Sequence, residues 1–385
     1  MATDNKNKVL NVPNLRFPEF KEAWKDSNIG KCFDLYSGNT PSRMEKEHFI
    51  GDVNWITSGE LKEHYIGDTK ERISEKAAAD NNLRILPVGT FVMAIYGLEA
   101  EGVRGTCSIT VKTSTISQAC MAFTPKSNVS NEFLYSWYKK HGNKIGIRYA
   151  QGTKQQNLSY DIIEKFPIRY PSIEEQEKLN TFISLLDSRI ATQNKIIEQL
   201  QSLIKGIYDK TFANFSKYQT LSAICKIQKG QQINGEELSE FGEYYVMNGG
   251  IEPSGYYDKY NTMPNTISIS EGGNSCGYIQ FNTVPFWSGG HCYTLQGIST
   301  EYNTHFVYHY LKSKEKEIMS LRIGSGLPNI QKKDLEIFPI PELSLETQIR
   351  ISNGINKIET KLKQTLNMLS AYQTQKAYLL RNLFI

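Results

Sequence analysis

The sequence predicts an α+β protein in which one arrangement, a β-rich globule followed by a long helix, occurs twice. The first observation is an internal repeat: Phe166-Pro167-Ile168 recurs as Phe338-Pro339-Ile340, at an offset of 172 residues. The second is that apolar residues recur at steps of three and four after each copy. The third is a set of β-branched runs bounded by glycine in both halves.

Further positions repeat at the same offset. They are Gly152 and Gly324, Asn157 and Asn329, Ser172 and Ser344, Glu174 and Glu346, Gln176 and Gln348, and Phe212 and Phe384. Upstream the offset becomes 192, where Ile29, Leu35 and Gly38 match Leu221, Ile227 and Gly230. The predicted division is a first globule at 1–171, a first helix at 172–213, a second globule at 214–344 and a second helix at 345–385.

Length and composition agree with a protein of several domains. The 385 residues allow two or three domains at roughly 150 residues each. The formal net charge is +4, and no apolar run approaches the ~18 residues of a membrane span. The polar start lacks the apolar core of a signal peptide, so we expect a cytoplasmic protein. Six scattered cysteines without a Cys-x-x-Cys pair predict buried thiols.

Each predicted helix has a start signal. Ser172 with Glu175 three residues later is a capping-box pattern, and Ser344 occupies the matching position with Thr347 in place of the acid. A helix from Ile173 to Phe212 would be on the order of 60 Å long, which exceeds an ordinary domain of this size.

The two apolar stripes predict an antiparallel coiled coil with pseudo-two-fold symmetry, because each narrow stripe needs a partner. The residues expected in its seam are Leu186, Ile190, Ile197, Leu200, Ile358, Leu362 and Leu369. Alternatively, each stripe folds back on its own globule. Gln193 and Thr365 interrupt the stripes, either to set the register or because they face solvent.

The globules should contain strands and short helices. Runs at 90–96, 107–111 and 266–270 predict strands, and 131–141 and 304–319 predict helices. Between these elements lie loops rich in Gly, Asn, Gln and Ser. Arg and Lys can bind guanine, Asn and Gln can bind adenine, and glycine allows close approach to phosphates. The candidate DNA-binding residues are Arg43, Thr57, Ser58, Arg104, Arg148, Lys154, Gln155, Gln156, Lys229, Gln231, Gln232, Asn248, Asn274 and Arg322.

Charge supports this interpretation unevenly. The net charge is +4 over 1–171, −1 over 172–212, −3 over 213–344 and +4 over 345–385. The second globule lacks the basic surface of a DNA-binding protein that acts alone, so a partner would supply much of its phosphate contact.

Catalytic motifs are weak or missing in the sequence. Gly273-Asn274-Ser275-Cys276-Gly277 fits the G-x-S-x-G pattern, but a strand follows it instead of a helix, which favours a hairpin turn. His305 and His309 lie one helical turn apart without the glutamate or third ligand of a metal site. No phosphate-binding loop, dinucleotide motif or adenine methyltransferase motif occurs, so we expect a binding protein without a cofactor.

The pattern resembles the specificity subunit of a bacterial type I restriction-modification system. The residues that carry the resemblance are the opening Val12 to Phe20 with Trp24, the segment Trp55 to Leu61, and the repeated Phe-Pro-Ile followed by Glu-x-Gln. The resemblance implies two target recognition domains that read the halves of a split, asymmetric double-stranded DNA site. It also implies helices that set the gap and dock two adenine methyltransferase subunits, to which two motor-nuclease subunits add.

The repeat suggests how to divide the roles of these residues. Positions identical in both halves cannot distinguish two half-sites, so we assign them to scaffold or partner docking, with Glu174, Gln176, Glu346 and Gln348 expected to dock partners. At one place in the shared frame the two halves differ, and this difference could affect recognition. The first half has Lys154-Gln155-Gln156, and the second has Gly326-Leu327-Pro328.

Two other functions compete with this prediction. One is a hydrolase that uses Ser275, which a Ser275→Ala variant would test. The other is a coiled-coil scaffold without a nucleic-acid role, which the absence of a methyltransferase partner would favour.

Overall fold

The computed structural model describes residues 11–324, 326 and 328–385, and the chain forms two compact units. The first unit contains the chain up to Thr192 together with Leu369–Ile385, and the second is Gln193–Met368. Both long helices therefore contribute residues to both units. In the described part of the chain, no helix has the length and apolar character that crossing a membrane requires.

The first unit holds two small sheets and one of five strands. Its strands are β1 (Lys25–Asn28), β2 (Phe33–Ser37), β3 (Val53–Ile56), β4 (Tyr65–Ile66), β5 (Arg72–Ile73), β6 (Phe91–Ala94), β7 (Cys107–Thr110), β8 (Ser114–Ile116), β9 (Cys120–Pro125) and β10 (Pro167–Tyr170). Its short helices are α1 (Ile29–Cys32), α2 (Glu75–Asp80), α3 (Asn131–Tyr149) and α4 (Tyr160–Glu164). The strand orders are β2-β9-β6-β7-β4, β5-β3-β8 and β1-β10.

The second unit has its own strands and short helices and shares both long helices with the first unit. Its strands are β11 (Tyr218–Thr220), β12 (Lys226–Lys229), β13 (Tyr244–Met247), β14 (Tyr256–Tyr257), β15 (Thr266–Ser270), β16 (Ile279–Asn282), β17 (Trp287–Ser288), β18 (Cys292–Gln296) and β19 (Pro339–Pro341). Its short helices are α6 (Leu221–Ile224), α7 (Thr304–Ser313), α8 (Glu315–Ser320) and α9 (Lys332–Glu336). The long helices are α5 (Ile173–Thr211) and α10 (Leu345–Leu383).

The two units repeat one topology. The order β12-β18-β15-β16 of the second unit matches β2-β9-β6-β7 of the first, and all of these pairs are antiparallel. The orders β14-β13-β17 and β5-β3-β8 also match, each with one antiparallel and one parallel pair. The strand registers place Cys120 and Cys292 at equivalent positions, since Ala94 pairs with Cys120 and Ser270 pairs with Cys292.

The predicted local elements are mostly confirmed. The strand at 266–270 has the expected bounds, while those at 90–96 and 107–111 are one to three residues shorter. The helix at 131–141 continues to Tyr149, and the one at 304–319 is divided at Lys314 into α7 and α8. All six cysteines are buried free thiols.

The start of α5 corrects part of the capping-box prediction. The Ser172 hydroxyl accepts a hydrogen bond from the backbone N–H of Glu175 at 3.4 Å. The Glu175 carboxylate does not return to the cap, because it is buried and accepts hydrogen bonds from Arg16 at 2.7 Å and Trp24 at 3.2 Å. At α10 the Ser344 hydroxyl accepts from the backbone N–H of Thr347 at 3.3 Å.

The long helices run antiparallel. In the first unit, Asp187 of α5 pairs with Lys376 of α10, and the Arg189 guanidinium lies 6.0 Å from the Tyr372 ring. In the second unit, the Tyr208 hydroxyl donates to Glu359 at 3.3 Å. Because Asp187 meets Lys376, the neighbouring seam residue Leu186 lies about two helical turns from the level of Leu369, so these two residues are not direct partners.

The seven predicted seam residues are all sheltered. Leu186 and Ile197 are buried, and the other five are half-buried. Thr365 is also buried, and its hydroxyl donates to the Lys361 carbonyl at 2.8 Å, so this break in the stripe does not face solvent. Lys376, a polar residue further along α10, forms an ion pair with Asp187.

The glutamines at the helix starts are internal struts. Gln176 is 1% exposed and Gln348 is 0% exposed. The prediction that they dock partners is wrong, because the chain itself covers them and uses their amide groups. The scaffold role that the repeat also allowed is the one the structure supports. Glu174 and Glu346, two residues earlier, are exposed.

Candidate nucleic-acid interface

Most of the predicted DNA-binding loops of each unit lie at the same end of the strands of its two larger sheets. We call this end the sheet edge. In the first unit, the Asn39 N–H donates to the Ile116 carbonyl at 3.2 Å and the Ser117 N–H donates to Ile56 at 2.9 Å. In the second unit, the equivalent bonds run from Gln231 to Ser288 and from Gly289 to Met247, both at 2.8 Å. The same backbone frame therefore presents the loops of both units.

A glycine begins the first loop of this edge in both units. A side chain at Gly38 would overlap the carbonyl oxygen of Ile116, and one at Gly230 would overlap that of Gly289. The next residue of each loop accepts a hydrogen bond from a tryptophan indole: Trp55 donates to the Asn39 carbonyl at 3.2 Å, and Trp287 donates to the Gln231 carbonyl at 2.9 Å.

Arg43 extends from the first loop of the first unit and is held in place. Its guanidinium pairs with Glu71 and lies 4.5 Å from the Phe49 ring and 5.2 Å from the Trp55 ring. The hydrogen bond from Arg43 lowers the pKa of Glu71. A DNA phosphate or base would have to share this guanidinium with Glu71.

Thr57 and Ser58 follow β3 in a 3₁₀ turn, Ser58–Glu60. The Thr57 hydroxyl donates to Glu60 at 2.8 Å, and the Thr57 N–H donates to the same carboxylate at 2.9 Å. Thr57 therefore caps the turn, and Ser58 is half-buried beside it.

A closed turn at 151–157 carries three of the predicted residues. Gln151 and Asn157 exchange backbone hydrogen bonds at 2.8 and 2.9 Å, and Gly152 has a φ of 106°, which favours glycine. Lys154 and Gln155 at the tip are exposed. Gln156 is turned inward, where its side-chain oxygen accepts from Arg104 at 2.7 Å.

Arg104 and Arg148 have different surroundings. The bond to Gln156 joins the loop of Arg104 to the closed turn, and the Gln156 N–H also donates to Glu99 at 2.7 Å, which lowers the pKa of Glu99. Arg148 is exposed at the end of α3, with its guanidinium 5.5 Å from the Tyr149 ring.

The second unit repeats the closed turn at 323–329. Ile323 and Asn329 exchange backbone bonds at 2.9 and 3.0 Å, and Gly324 has a φ of 99°. Of the contrasting tip residues, Leu327 lies outside the described residues. Arg322 and Asn274 are exposed next to this turn, and the neighbouring Gly273 N–H donates to the Pro328 carbonyl at 2.9 Å.

The structure brings four other predicted residues of the second unit together around the turn 289–291. Asn248 accepts from the His291 N–H at 3.0 Å, and Lys229 donates to Glu271 at 2.5 Å. A side chain at Gly290 would overlap Gln232, which shows how closely the loop of Gln231 and Gln232 approaches this turn.

Sequence reasoning missed Glu271 and His291 in this group. His291 Nδ1 lies 3.5 Å from Glu271 Oε2, and the Tyr293 hydroxyl donates to Glu271 Oε1 at 3.1 Å. Burial next to Glu271 raises the pKa of Tyr293. The sequence did contain one signal for His291. At the repeat offset of 172, Cys120 and Cys292 are identical, but Ala119 of the first half is replaced by His291 in the second.

The rejected catalytic motifs have structural roles. Ser275 lies in the turn between β15 and β16, which pair antiparallel as the predicted hairpin. Both ring nitrogens of His309 are engaged, Nε2 with Asn356 at 2.7 Å and Nδ1 with the Tyr208 hydroxyl at 3.0 Å. Among residues 11–324, 326 and 328–385, no cluster of three or more His, Cys, Asp or Glu side chains could hold a metal ion.

Comparison with known proteins decides the family. The model of the type I restriction modification DNA specificity domain matches residues 21–202 and again 216–369. The chain belongs to this family. It is a DNA-recognition subunit of the type I restriction-modification kind, and the two matches coincide with the internal repeat.

Individual specificity subunits resemble the chain over most of its length. The MjaIX type I restriction enzyme specificity subunit of Methanocaldococcus jannaschii is 24% identical, with 83% of this chain and 84% of the relative covered. The MjaVIII specificity subunit of the same organism is 22% identical, with 91% and 88% covered. The crystal structure of a type I system S subunit from M. genitalium has the same fold, with a TM-score of 0.71, 21% identity, and 97% and 99% covered.

Proposed function

We propose that this specificity subunit directs a type I restriction-modification complex to a bipartite, asymmetric site in double-stranded DNA. Each unit would read one half of the site through the loops of its sheet edge. The observation that carries the proposal is one backbone frame used twice with different side chains. The closed turns at 151–157 and 323–329 share their closing bonds and glycine but differ at their tips.

Two features fit a recognition role rather than a catalytic one. The loops that meet at the edges are rich in Asn, Gln, Lys and Arg, the residue types that bind base edges and phosphates. Ser275 of the apparent hydrolase motif lies in a hairpin turn, and His309 lies on a buried helix face. The chemistry would therefore come from partner subunits.

The long helices are proposed to fix the gap between the half-sites and to dock two adenine methyltransferase subunits. Glu174 and Glu346 are exposed in the first turns of α5 and α10, at equivalent positions, and are the proposed docking residues. Two motor-nuclease subunits would complete the complex. We propose that it acts in the cytoplasm, where the DNA of the host lies.

Charge distribution supports a shared grip on DNA. The second globule, at 213–344, has a net charge of −3, whereas 1–171 has +4. Nonspecific affinity depends on Lys and Arg contacts with phosphates. We therefore propose that the methyltransferase partner supplies much of the phosphate contact next to the second unit.

The test is long-read detection of methyladenine in the host genome with and without this gene. Deletion is expected to abolish methylation at one bipartite motif with a fixed gap, and reintroduction on a plasmid should restore it. A companion strain with Ser275→Ala should keep the motif. Unchanged methylation after deletion, in cells where a pull-down shows no bound methyltransferase, would contradict the proposal.

A further inference from the structure

A buried carboxylate with two basic neighbours lies at the sheet edge of the second unit. Glu271 is 8% exposed, and its Oε1 accepts from Lys229 Nζ at 2.5 Å and from the Tyr293 hydroxyl at 3.1 Å. Its Oε2 is buried without a hydrogen bond among the described residues and lies 3.5 Å from His291 Nδ1. We call Lys229, Glu271 and His291 the charged triad.

The two basic side chains remain open to solvent. The side chain of Lys229 is 52% exposed and that of His291 is 61% exposed. The main chain of His291 is fixed at both ends, because its N–H donates to Asn248 at 3.0 Å and its carbonyl accepts from the Glu271 N–H at 2.9 Å. The carboxylate of the triad is thus buried, whereas its two basic side chains are exposed to solvent and held in position.

The first unit has the same backbone at these positions without the triad. Strand registers make Ser37 equivalent to Lys229, Ile95 to Glu271 and Ala119 to His291. The bond from the Ile95 N–H to the Ala119 carbonyl, at 2.9 Å, matches that from Glu271 to His291. The Leu158 N–H donates to Ile95 at 2.9 Å, as the Ile330 N–H does to Glu271.

The frame therefore does not require a charge at this position. Burying a carboxylate costs several kcal/mol, and an apolar residue of similar volume often gives equal or greater stability. Ile95 is that apolar residue in the first unit, 3% exposed in the same frame. A buried carboxylate that pairs with a lysine in a loop region, where the same backbone accepts an apolar residue, indicates a function rather than a structural requirement.

We propose that the charged triad is a specificity determinant of the second unit and reads a G·C base pair in the major groove. Lys229 donates to both N7 and O6 of guanine, the common lysine contact with a base. His291 presents its outer Nε2 to the same base pair, because Nδ1 faces Glu271. Glu271 acts as a positioning residue that holds both. This inference rests on the proposed function, since it assigns a base pair within one half-site.

The experiment maps the methylation motif in the host deletion strain, complemented with either the unmutated gene or the gene for the Lys229→Ser variant. Serine is chosen because Ser37 occupies the equivalent position in the first unit. Lys229→Ser is expected to relax the preference at one G·C position of one half-site by roughly tenfold or more. The other half-site and the gap should be unchanged. Lys229→Arg should retain the preference, because arginine also donates to guanine.

Two further variants make the result decisive. Lys316→Ser, an exposed lysine of α8, is the matched control and should leave the motif unchanged. The triple variant Lys229→Ser, Glu271→Ile, His291→Ala carries the residues that the same backbone accommodates in the first unit. It should relax the base preference at the same G·C position. The purified complex should lose affinity for a duplex with 7-deazaguanine at that position, whereas Lys229→Ser should not discriminate.

Two results would overturn the inference, and a third would overturn the proposed function on which it rests. An unchanged motif in Lys229→Ser and the triple variant would exclude a base contact. If Lys229→Ser lowered methylation equally at all sequences, and the DNA-binding affinity of the variant depended less on salt, Lys229 would contact a phosphate instead of a base. Absence of any motif with the unmutated gene would overturn the proposed function itself, which separates that failure from a failure of the triad.

Discussion

The side-chain oxygen of Gln176 accepts a hydrogen bond from the backbone N–H of Ser130 at 3.0 Å. This bond joins the first turn of α5 to the N-cap of α3. The second unit repeats it, because Gln348 of α10 accepts from the N–H of Asn303, the N-cap of α7, at 2.8 Å. Each amide also donates to two backbone carbonyls nearby. The same strut therefore fixes a long helix to a domain helix in both units.

Gln176→Leu should destabilise the first unit by about 1–3 kcal/mol, because it leaves a buried N–H and two carbonyls without partners at similar volume. The measurement is the free energy of unfolding in urea. Glu174→Gln, an exposed change in the same turn, should stay within about 0.5 kcal/mol of the unmutated chain. Equal stability of the two variants would show that water replaces the strut.

The helices of this fold were predictable because their signals are local. Ser172 and Ser344 mark the starts, and long apolar stripes, each with a polar interruption, predicted both helices close to the observed Ile173–Thr211 and Leu345–Leu383. The roles of Glu175 and Gln176 were not predictable, since an exposed docking residue and a buried strut have the same local sequence. Only tertiary contacts with Arg16 and Ser130 distinguish them.

The candidate interface was predicted as a set of loops but not as a site. Lys229 and Asn248 were chosen for their residue types, which carry no information on neighbours. Glu271 and His291 join Lys229 only because β12 and β15 end, and β18 begins, at the same edge of one sheet. Such a cluster depends on strand order and register, which no short motif encodes.

Phe384→Ala should destabilise the first unit by about 3–5 kcal/mol. Phe384 is buried at the C-terminal end of α10, with its ring 5.4 Å from that of Phe133. Phe212, its repeat counterpart, lies 5.9 Å from Phe306 in the second unit. Unfolding measured by urea titration should separate Phe384→Ala from Phe241→Ala, an exposed phenylalanine whose loss should cost less than about 0.5 kcal/mol.

The buried imidazole of His309 should make the second unit sensitive to acid. Burial lowers the pKa of His309 to about 4, against about 6.5 in an unfolded chain. Between these values the unfolded state binds more protons than the folded state, so the free energy of unfolding falls as the pH falls. The slope is at most about 1.4 kcal/mol per pH unit for this group.

The corresponding variant is His309→Gln, which keeps polar atoms near Asn356 and Tyr208 but does not titrate. Urea unfolding at pH 7, 6 and 5 should show a smaller loss of stability in this variant than in the unmutated chain. His141, whose pKa burial also lowers to about 4, is present in both chains and cancels in the comparison. Parallel pH profiles of the two chains would mean that His309 takes up a proton without cost.

Gln155→Ala should change the recognised sequence of one half-site, because Gln155 is exposed at the tip of the closed turn 151–157. Gln156→Ala has a different expected effect, since it removes the acceptor of Arg104 and loosens the turn. Motif mapping in the deletion strain should show an altered base preference for the first variant and lower overall methylation for the second. If Gln155→Ala left both motif and affinity unchanged, the turn would not contact bases.

Lengthening both long helices should change the gap before it changes either half-site. The variant has four residues inserted after Gln193 and four after Met368, at the boundaries of the two units. Because both helices are lengthened together, Asp187 still meets Lys376 and Tyr208 still meets Glu359. Each insertion adds about 6 Å of helix. Since base pairs rise about 3.4 Å each, the motif should retain both half-sites with a gap longer by about one or two base pairs. A control with the insertion in α5 alone should reduce methylation, because it breaks the pairing. A new half-site sequence with the original gap would refute the role of the helices as a spacer.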